Sequence, residues 1–551
     1  MAPRHRTVFS IQRCVIRSAK QHGLLQSSRQ LLGARVRLLL KTVVLTALLF
    51  ALHLPAQQLP SPIGAIVPHR YLVAFSNGSI PGQTFNHVAG VRLLHTHNAF
   101  AIAVVQTDPS TDDAADMAAL RAQPGVTLVV HDRIVSAHTL TLRPELTVTV
   151  GTPPTPPPTP TPVASSAPYD TYYTATPQDW AVVQSGGYGA NIPGGPAFGP
   201  WNSTLGAGVR IAILDSGVDQ YHPDIAPNLA FNLSEIDQSA NTGLPSPCDD
   251  GSPQDQQGHG TWTASLALAA MGPDTGLTIG VAPAATLLNI KVIERLPDPS
   301  STAPDVATQC ATGQASGLLS WVLQGIDDAI TQHADIINLS LGTLVDLDTG
   351  EGAGLQSLFN QATWAATQAG AVVIASAGND GLDLSNPRYI ELPAQSRGVL
   401  AVVASTNPAC AENLTAGATC APGPITLPYY SNFGAPLNAI AAPGGSAPAG
   451  PDNGVSGWVR GACSSSEPNT ADGPPSDSAH SFGCFNLGHI AYVQAMGTSA
   501  SAALVSGAAA LVRAANPSWT PAQVIAALRT AATPTASLPA APLLNISALI
   551  P

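Results

Sequence analysis

The chain has 551 residues, 45% hydrophobic and only 10% charged, with 49 Gly and 50 Pro. That length exceeds the ~250–300 residues that one hydrophobic core usually serves, and the composition is the reverse of a disordered chain's. The net charge of −12 is unevenly spread: nine of the 22 Lys and Arg lie in the first 41 residues, which hold no Asp or Glu, so the rest is strongly acidic and lacks the electrostatic footprint of a nucleic-acid binder.

In chain order, the basic start runs into a short apolar stretch, Val43 to Leu52, and then Pro55-Ala56. A basic region, an apolar region and a small residue near a turn read as a secretory signal over residues 1–57, although Leu54 fits the usual cleavage pattern poorly. The rival reading is an N-terminal anchor, for which the run falls short of the ~20 residues a spanning helix needs. Export with removal of this segment leaves no stable membrane span. Next, Tyr71 to Phe75, Phe100 to Val105 and Val126 to Val130 read as strands, and Asp112 to Gln123 as a helix. These make a small α+β unit within residues 58–140. The stretch TPPTPPPTPTP, residues 152 to 162, is a stiff polyproline-like spacer and marks a linker over 141–168.

Beyond it, in residues 169–551, apolar runs alternate with Ala-rich helical stretches. The strand candidates are 209–214, 286–292, 336–339, 372–375 and 399–403; the helix candidates include Gly317 to Gln332 and Pro521 to Ala532. Near-continuous apolar strands separated by helices predict an α/β fold with a mostly parallel sheet covered on both faces, and ligands of such sheets gather at the strands' carboxyl ends. Six of the seven cysteines fall in this body, an even number that suits disulfides in an exported protein. Spacing does not fix the pairing; Cys410 with Cys420 and Cys463 with Cys484 would each close a surface loop, and buried free thiols are the alternative.

Four stretches carry candidate chemistry. VRIAILDSGVDQYHPDI ends a strand on Asp215, where a plain Asp-Ser-Gly turn is the bland alternative. In QDQQGHGTWTASLALAA, His259 stands between two glycines at the start of a helix, with no second His or Cys nearby at metal-ligand spacing. AVVIASAGNDG places Asn379 just past a strand, able to cap a turn or to aim its amide at a developing oxyanion. AMGTSASAALVSGAAALV, residues 495 to 512, is a helix of small residues whose first N–H groups and positive dipole end face whatever Ser499 faces. Ser501 and Ser506, deeper in that helix, read as packing residues.

Taken together, DSG, HGT, AGN and GTS in this order resemble the subtilisin-like serine protease family, the subtilases or peptidase S8. The resemblance extends over roughly residues 169 to 549 and includes Asp255 before His259, GVAP at 280–283, SGLLSWVLQGIDDAI leading to INLSLG, YYSNFGAPLNAIAAPG and NPSWTPAQVIAALRTAA. It implies a subtilisin-like three-layer fold and a secreted, monomeric serine endopeptidase acting on proteins or peptides. By the same resemblance Ser499 is the nucleophile, His259 the general base and Asp215 its orienting carboxylate, while Asn379 and the Ser499 N–H hold the oxyanion. Ser316, Gly317, Ser340, Leu341 and Gly342 correspond to segments that pair with an extended peptide, and Leu319 and Val322 suggest an apolar subsite. Asp380 could favour a basic residue in the primary pocket or could be a solvated surface acid. YLVAFSNG, AFAIAVV and PGVTLVVHDRIV resemble an inhibitory propeptide of the inhibitor-I9 type, with cleavage after about His138 or nearer the spacer. No cofactor is implied for catalysis; a structural calcium at Asp224 and Asp274 is allowed for.

The departures are Ala500, Ala503 and Leu504, where the family commonly has Met, Pro and His, and Ser265, where it commonly has Gly. GTSAS also resembles the sedolisin peptidases, but His259 in its HGT context and Asn379 argue against that kinship. The other alternative is a catalytically silent peptide-binding relative that keeps the groove.

Overall fold

In a computed structural model of the chain, the described residues are 64–137 and 199–550, with 181 and 185, but without 77–79, 81–83, 86–87, 89, 237–245, 272–277, 299–300, 312, 408–424, 446–457, 468–470, 473–483 and 488–489. The expected signal, the spacer and the Cys410–Cys420 pair lie outside them.

The first group of elements is antiparallel: β1 (Ile66–Phe75), β2 (Arg92–His97), β3 (Ile102–Gln106), helix α1 (Asp113–Arg121) and β4 (Val126–Ala137). Asp112 caps α1 by accepting from the Ala115 N–H at 2.9 Å, and Met117 and Leu120 turn the helix's apolar side onto the sheet core.

The body follows as β5 (Arg210–Asp215), β6 (Leu229–Ser234), α2 (His259–Leu268), β7 (Thr286–Lys291), β8 (Glu294–Arg295), α3 (Val306–Ala311), β9 (Ala315–Leu318) and α4 (Leu319–Thr331). It continues with β10 (Ile336–Leu339), β11 (Leu341–Asp346), α5 (Gly352–Gln368), β12 (Val372–Ser376), β13 (Tyr389–Leu392), β14 (Val399–Ser405) and β15 (Ala439–Pro443). The last elements are β16 (Val459–Ala462), β17 (Ala471–Asp472), β18 (Phe485–Leu487), β19 (Ile490–Ala495), α6 (Thr498–Ala515) and α7 (Pro521–Ala531).

Seven strands form one parallel sheet in the order β15-β14-β12-β10-β5-β7-β6. Its two faces explain the unbroken apolar runs. Ile211 and Ile213 of β5 point into a core shared with α2 and α6, while Ala212 and Leu214 point into a second core shared with α4 and α5. Every residue after the first in β5 is therefore buried, and helices on both faces make the three layers that the sequence implied. α6 is long and apolar enough to cross a membrane by length and composition, and 89% of that stretch is buried inside the protein, where the sheet needs it.

One boundary differs from the sequence reading. The helix expected from Gly317 begins at Leu319, because Ser316, Gly317 and Leu318 pair as strand with β4. Leu319 and Val322, expected at an apolar subsite, are fully buried in the second core. Among the described residues two disulfides are formed. Cys463–Cys484 matches the expected pair, and Cys248–Cys310 ties the loop after β6 to α3, across 62 residues that local spacing could not have matched.

Candidate active site

β5, β10 and β12 lie side by side in the parallel sheet, and Asp215, Ser340 and Asn379 stand at or just beyond their carboxyl ends. Asp215 closes β5 and is fully buried. Its Oδ1 accepts from the Ser216 N–H at 2.7 Å and from Nδ1–H of His259 at 2.6 Å, and its Oδ2 accepts from the Thr263 hydroxyl at 3.1 Å. A carboxylate only accepts, so the contact fixes the tautomer: the ring proton sits on Nδ1 and Nε2 is the basic nitrogen.

His259 begins α2, with Gly258 before it in a left-handed conformation at φ 96°. The glycines that flank it answer to backbone contact. A side chain at Gly260 would collide with the carbonyl of Gly217, the glycine of the Asp215 turn, itself at φ 97°. The two loops can touch only because both positions lack a Cβ.

Asp255 joins these loops. Its Oδ1 accepts from Ser216 Oγ at 2.9 Å and from the N–H groups of Gln257 and Gly258 at 2.9 and 2.8 Å. Its Oδ2 accepts from Thr261 N–H and Oγ at 2.9 and 2.6 Å. Burial raises its pKa and these hydrogen bonds oppose the rise. Ser216 Oγ in turn accepts from the Gly260 N–H at 2.9 Å. From sequence Asp255 was only a matched letter; its role as the clamp between Asp215 and His259 is visible only in three dimensions.

Ser499 sits in the first turn of α6, fully buried. Its hydroxyl donates to the Ser340 carbonyl at 3.0 Å, and Ser340 Oγ donates back to the Ser499 carbonyl at 3.0 Å. Asn338 Nδ2 donates to Ser340 Oγ at 2.9 Å, and Ser506 Oγ donates to Asn338 Oδ1 at 2.9 Å. Ser501 Oγ donates to the Ala442 carbonyl at 2.9 Å, so both helix-interior serines are structural. Asn379 Oδ1 accepts from the Thr498 N–H at 3.1 Å and hydroxyl at 2.9 Å, which fixes which end of the amide is the donor. Thr498, the middle residue of GTS and the one before Ser499, thus holds Asn379 in place.

The expected peptide-pairing segments are already paired. The end of β4 lies antiparallel between β9 and β11, with Val135 opposite Gly317, Ser136 opposite both Ser316 and Gly342, and Ala137 opposite Leu341. Ser136 and Ser316 hydroxyls are 2.8 Å apart. Asp132, just upstream, accepts from the Ser320 N–H at 3.0 Å and so caps α4, while holding the buried Arg70 guanidinium at 2.8 Å.

One departure from the family pattern, Ser265, finds an explanation. Ser265 Oγ donates to the Trp262 carbonyl at 2.7 Å and accepts from the Ala462 N–H at 2.9 Å, anchoring β16 to α2. Asp380 is exposed and its Oδ2 accepts from Asn432 Nδ2 at 3.0 Å. At the candidate calcium position, Asp224 accepts from Tyr492 at 3.3 Å and from the Thr278 N–H at 3.4 Å, and Asp274 lies outside the described residues. Neighbouring His222 donates from Nε2 to the Ala491 carbonyl at 2.9 Å; burial pushes its pKa down to about 4, so it is neutral. Among the described residues no three His, Cys, Asp or Glu side chains are placed to share a metal ion.

Residues 206–543 match the model described as the Subtilase family. An intracellular serine protease of Paenibacillus polymyxa is 33% identical over 184 residues, 33% of this chain and 44% of that protein. Subtilisin NAT of Bacillus subtilis subsp. natto is 30% identical over 351 residues, 64% of this chain and 67% of that protein. The chain thus spans less than half of the first relative's length and two thirds of the second's. Among solved structures, fervidolysin of Fervidobacterium pennivorans, described as a keratinolytic enzyme related to subtilisin, matches with a TM-score of 0.57 at 17% identity, covering 89% of this chain and 62% of that one. At that identity the likeness is one of fold.

Proposed function

The chain belongs to the subtilase family, and from that premise we propose that it is a serine endopeptidase made as its own inhibited precursor. Ser499 Oγ attacks the carbonyl carbon of the scissile peptide bond while His259 Nε2 takes the hydroxyl proton. The oxyanion is held by Asn379 Nδ2 and the Ser499 N–H, and Asp215 stabilises the imidazolium through the Nδ1 hydrogen bond. Collapse breaks the C–N bond, His259 returns the proton to the departing amine, and water then frees Ser499 from the acyl group by the same steps. The observation that carries this reading is the buried 2.6 Å contact of Asp215 with His259 Nδ1, since it leaves Nε2 as the one basic nitrogen.

Residues 58–140 act in this account as the inhibitory segment, because the end of β4 takes the place in the groove that a substrate strand would take. Maturation then cuts the chain beyond Ala137. The basic, apolar N-terminus and the disulfides fit export to an oxidising compartment, where the mature protease acts as a monomer on protein or peptide substrates. No cofactor takes part in the chemistry; a calcium near Asp224 and Asp274 would act on stability alone.

N-terminal sequencing of secreted wild-type and Ser499→Ala protein tests the proposal. Wild-type protein should begin beyond Ala137 and hydrolyse casein, while Ser499→Ala should stay full length and inert. An uncut, inactive wild type that nonetheless binds extended peptides would instead make the chain a silent peptide-binding relative.

A further inference from the structure

Asp380, the acid beside Asn379, is exposed and bonded to Asn432, so it does not supply a charge to the groove's interior. A different carboxylate does. Glu391 lies on β13, opposite Leu344 of β11, and is fully buried. Its side chain ends against Gly378, the residue immediately before Asn379: a Cβ built on Gly378 would stand 3.0 Å from Glu391 Oε2 and 3.1 Å from its Cδ. Gly378 is held at φ 97°, and the missing side chain makes room there first for the Asn432 side-chain amide and then for the Glu391 carboxylate.

The strand register relates this carboxylate to a substrate. A peptide that follows the line of β4 pairs with Gly342 and then Leu341, so its next residue comes opposite Ser340, whose carbonyl accepts from Ser499 Oγ. That residue is the one whose carbonyl the nucleophile attacks. The elements beside that position are β11 and the loop that leaves β12, the neighbour of β10, at Gly378 and Asn379, and Glu391, on β13 beside β11, ends against that glycine. We propose that Glu391 sets the primary specificity of this site, selecting substrates with a cationic side chain, Arg or Lys, just before the bond that is cut; the inference rests on the proteolytic reading above.

A buried carboxylate discriminates by its charge state. An incoming guanidinium or ammonium gains a partner in a low-dielectric site, a carboxylate side chain is repelled, and an apolar side chain sets hydrocarbon against a group that favours polar contact. The body's acidic excess, 34 Asp and Glu in the chain against 13 Lys and Arg after residue 41, adds a long-range attraction for the same substrates.

The test measures kcat/KM of matured wild-type protein on quenched peptides that differ only in the residue before the cleaved bond: Arg, Lys, Leu, Phe or Glu. Arg and Lys should exceed Leu and Phe by about 10²-fold, with Glu poorest. Glu391→Gln should cut the Arg and Lys values by about 10²-fold and change the Leu value by less than about 3-fold. The wild-type ranking decides the matter even if the variant does not mature. Leu or Phe as the preferred residue, or a Glu391→Gln ranking identical to wild type, overturns the inference while leaving the protease reading intact. No cleavage of any peptide by fully processed protein overturns both.

Discussion

Asp215 and Asp255 both stand beside His259's loop, and they do different jobs. Asp215 contacts the imidazole; Asp255 never touches it and instead holds five donors from Ser216, Gln257, Gly258 and Thr261. Asp215→Asn should keep the shape of the site but replace one acceptor oxygen by an amide donor and remove the charge, which favours the wrong imidazole tautomer, lowering kcat by about 10⁴-fold with little change in melting temperature. Asp255→Ala should do the reverse first. It leaves several buried donors unsatisfied and should cost about 3 kcal/mol or more of stability, read by denaturant unfolding in a Ser499→Ala background. Equal effects of the two substitutions on stability would mean that the division of roles is wrong. The glycines at 217 and 260 belong to the same scale, since their meaning lies in the backbone contact they permit.

At the scale of elements, the junction between the first four strands and the body has a charge pattern that responds to pH. His131 on β4 is bonded through Nδ1 to Glu351, at the start of α5, at 2.7 Å, and through Nε2 to Asp113 of α1 at 2.8 Å. Arg133 reaches the other Glu351 oxygen at 3.1 Å, and Tyr71 OH donates to Asp113 Oδ1 at 2.7 Å. Burial works against a charged His131, but the hydrogen bonds and charges of Glu351 and Asp113 outweigh it and raise its pKa. For Glu351 burial likewise raises and the bonds to His131 and Arg133 outweigh it, so its pKa is lowered. A raised histidine pKa contributes stability that is complete below its ordinary value of ~6.5 and is lost as pH climbs through the native value. A lowered carboxylate pKa contributes stability present above its ordinary value of ~4.3 and lost on acidification through the native value. Unprocessed Ser499→Ala protein should therefore melt at its highest temperature in mild acid and lose stability from pH 6 to pH 9. His131→Gln should flatten the alkaline side of that profile, and an unchanged slope would refute the clamp. Sequence made the repetitive elements legible, because a strand buried on both faces is a continuous apolar run and α6 is a run of small residues that only tight packing explains. It concealed β9, where SGLL looks helical until β4 pairs with it, and β13, whose place beside β11 is set by residues far away in the chain. Of the site, Asp215, His259, Asn379 and Ser499 could be named from their motifs. Thr263 and Glu391 could not, since their significance is purely one of proximity, and the hold of Thr498 on Asn379 shows only in the fold.

For the whole molecule, a seven-stranded parallel sheet with partners distant in sequence implies slow folding, because long loops must close before the contacts reward them. The β4 segment caps α4 through Asp132 and pairs with both β9 and β11, so it supplies strand contacts that the body would lack without it. The Cys248–Cys310 bridge then ties to α3 a loop that Lys291 of β7 also holds, through its ion pair with Asp249. These features agree with a protease that folds around its own inhibitor and acts only after separation from it, and that account stands on the reactivity of one hydroxyl. The most direct measurement is labelling of the processed protein with a serine-directed organophosphonate, followed by peptide mapping by mass spectrometry. The account predicts one adduct per molecule, on Ser499, lost in Ser499→Ala and strongly slowed in His259→Ala. An adduct on another serine, or none at all on protein cut beyond Ala137, would contradict it.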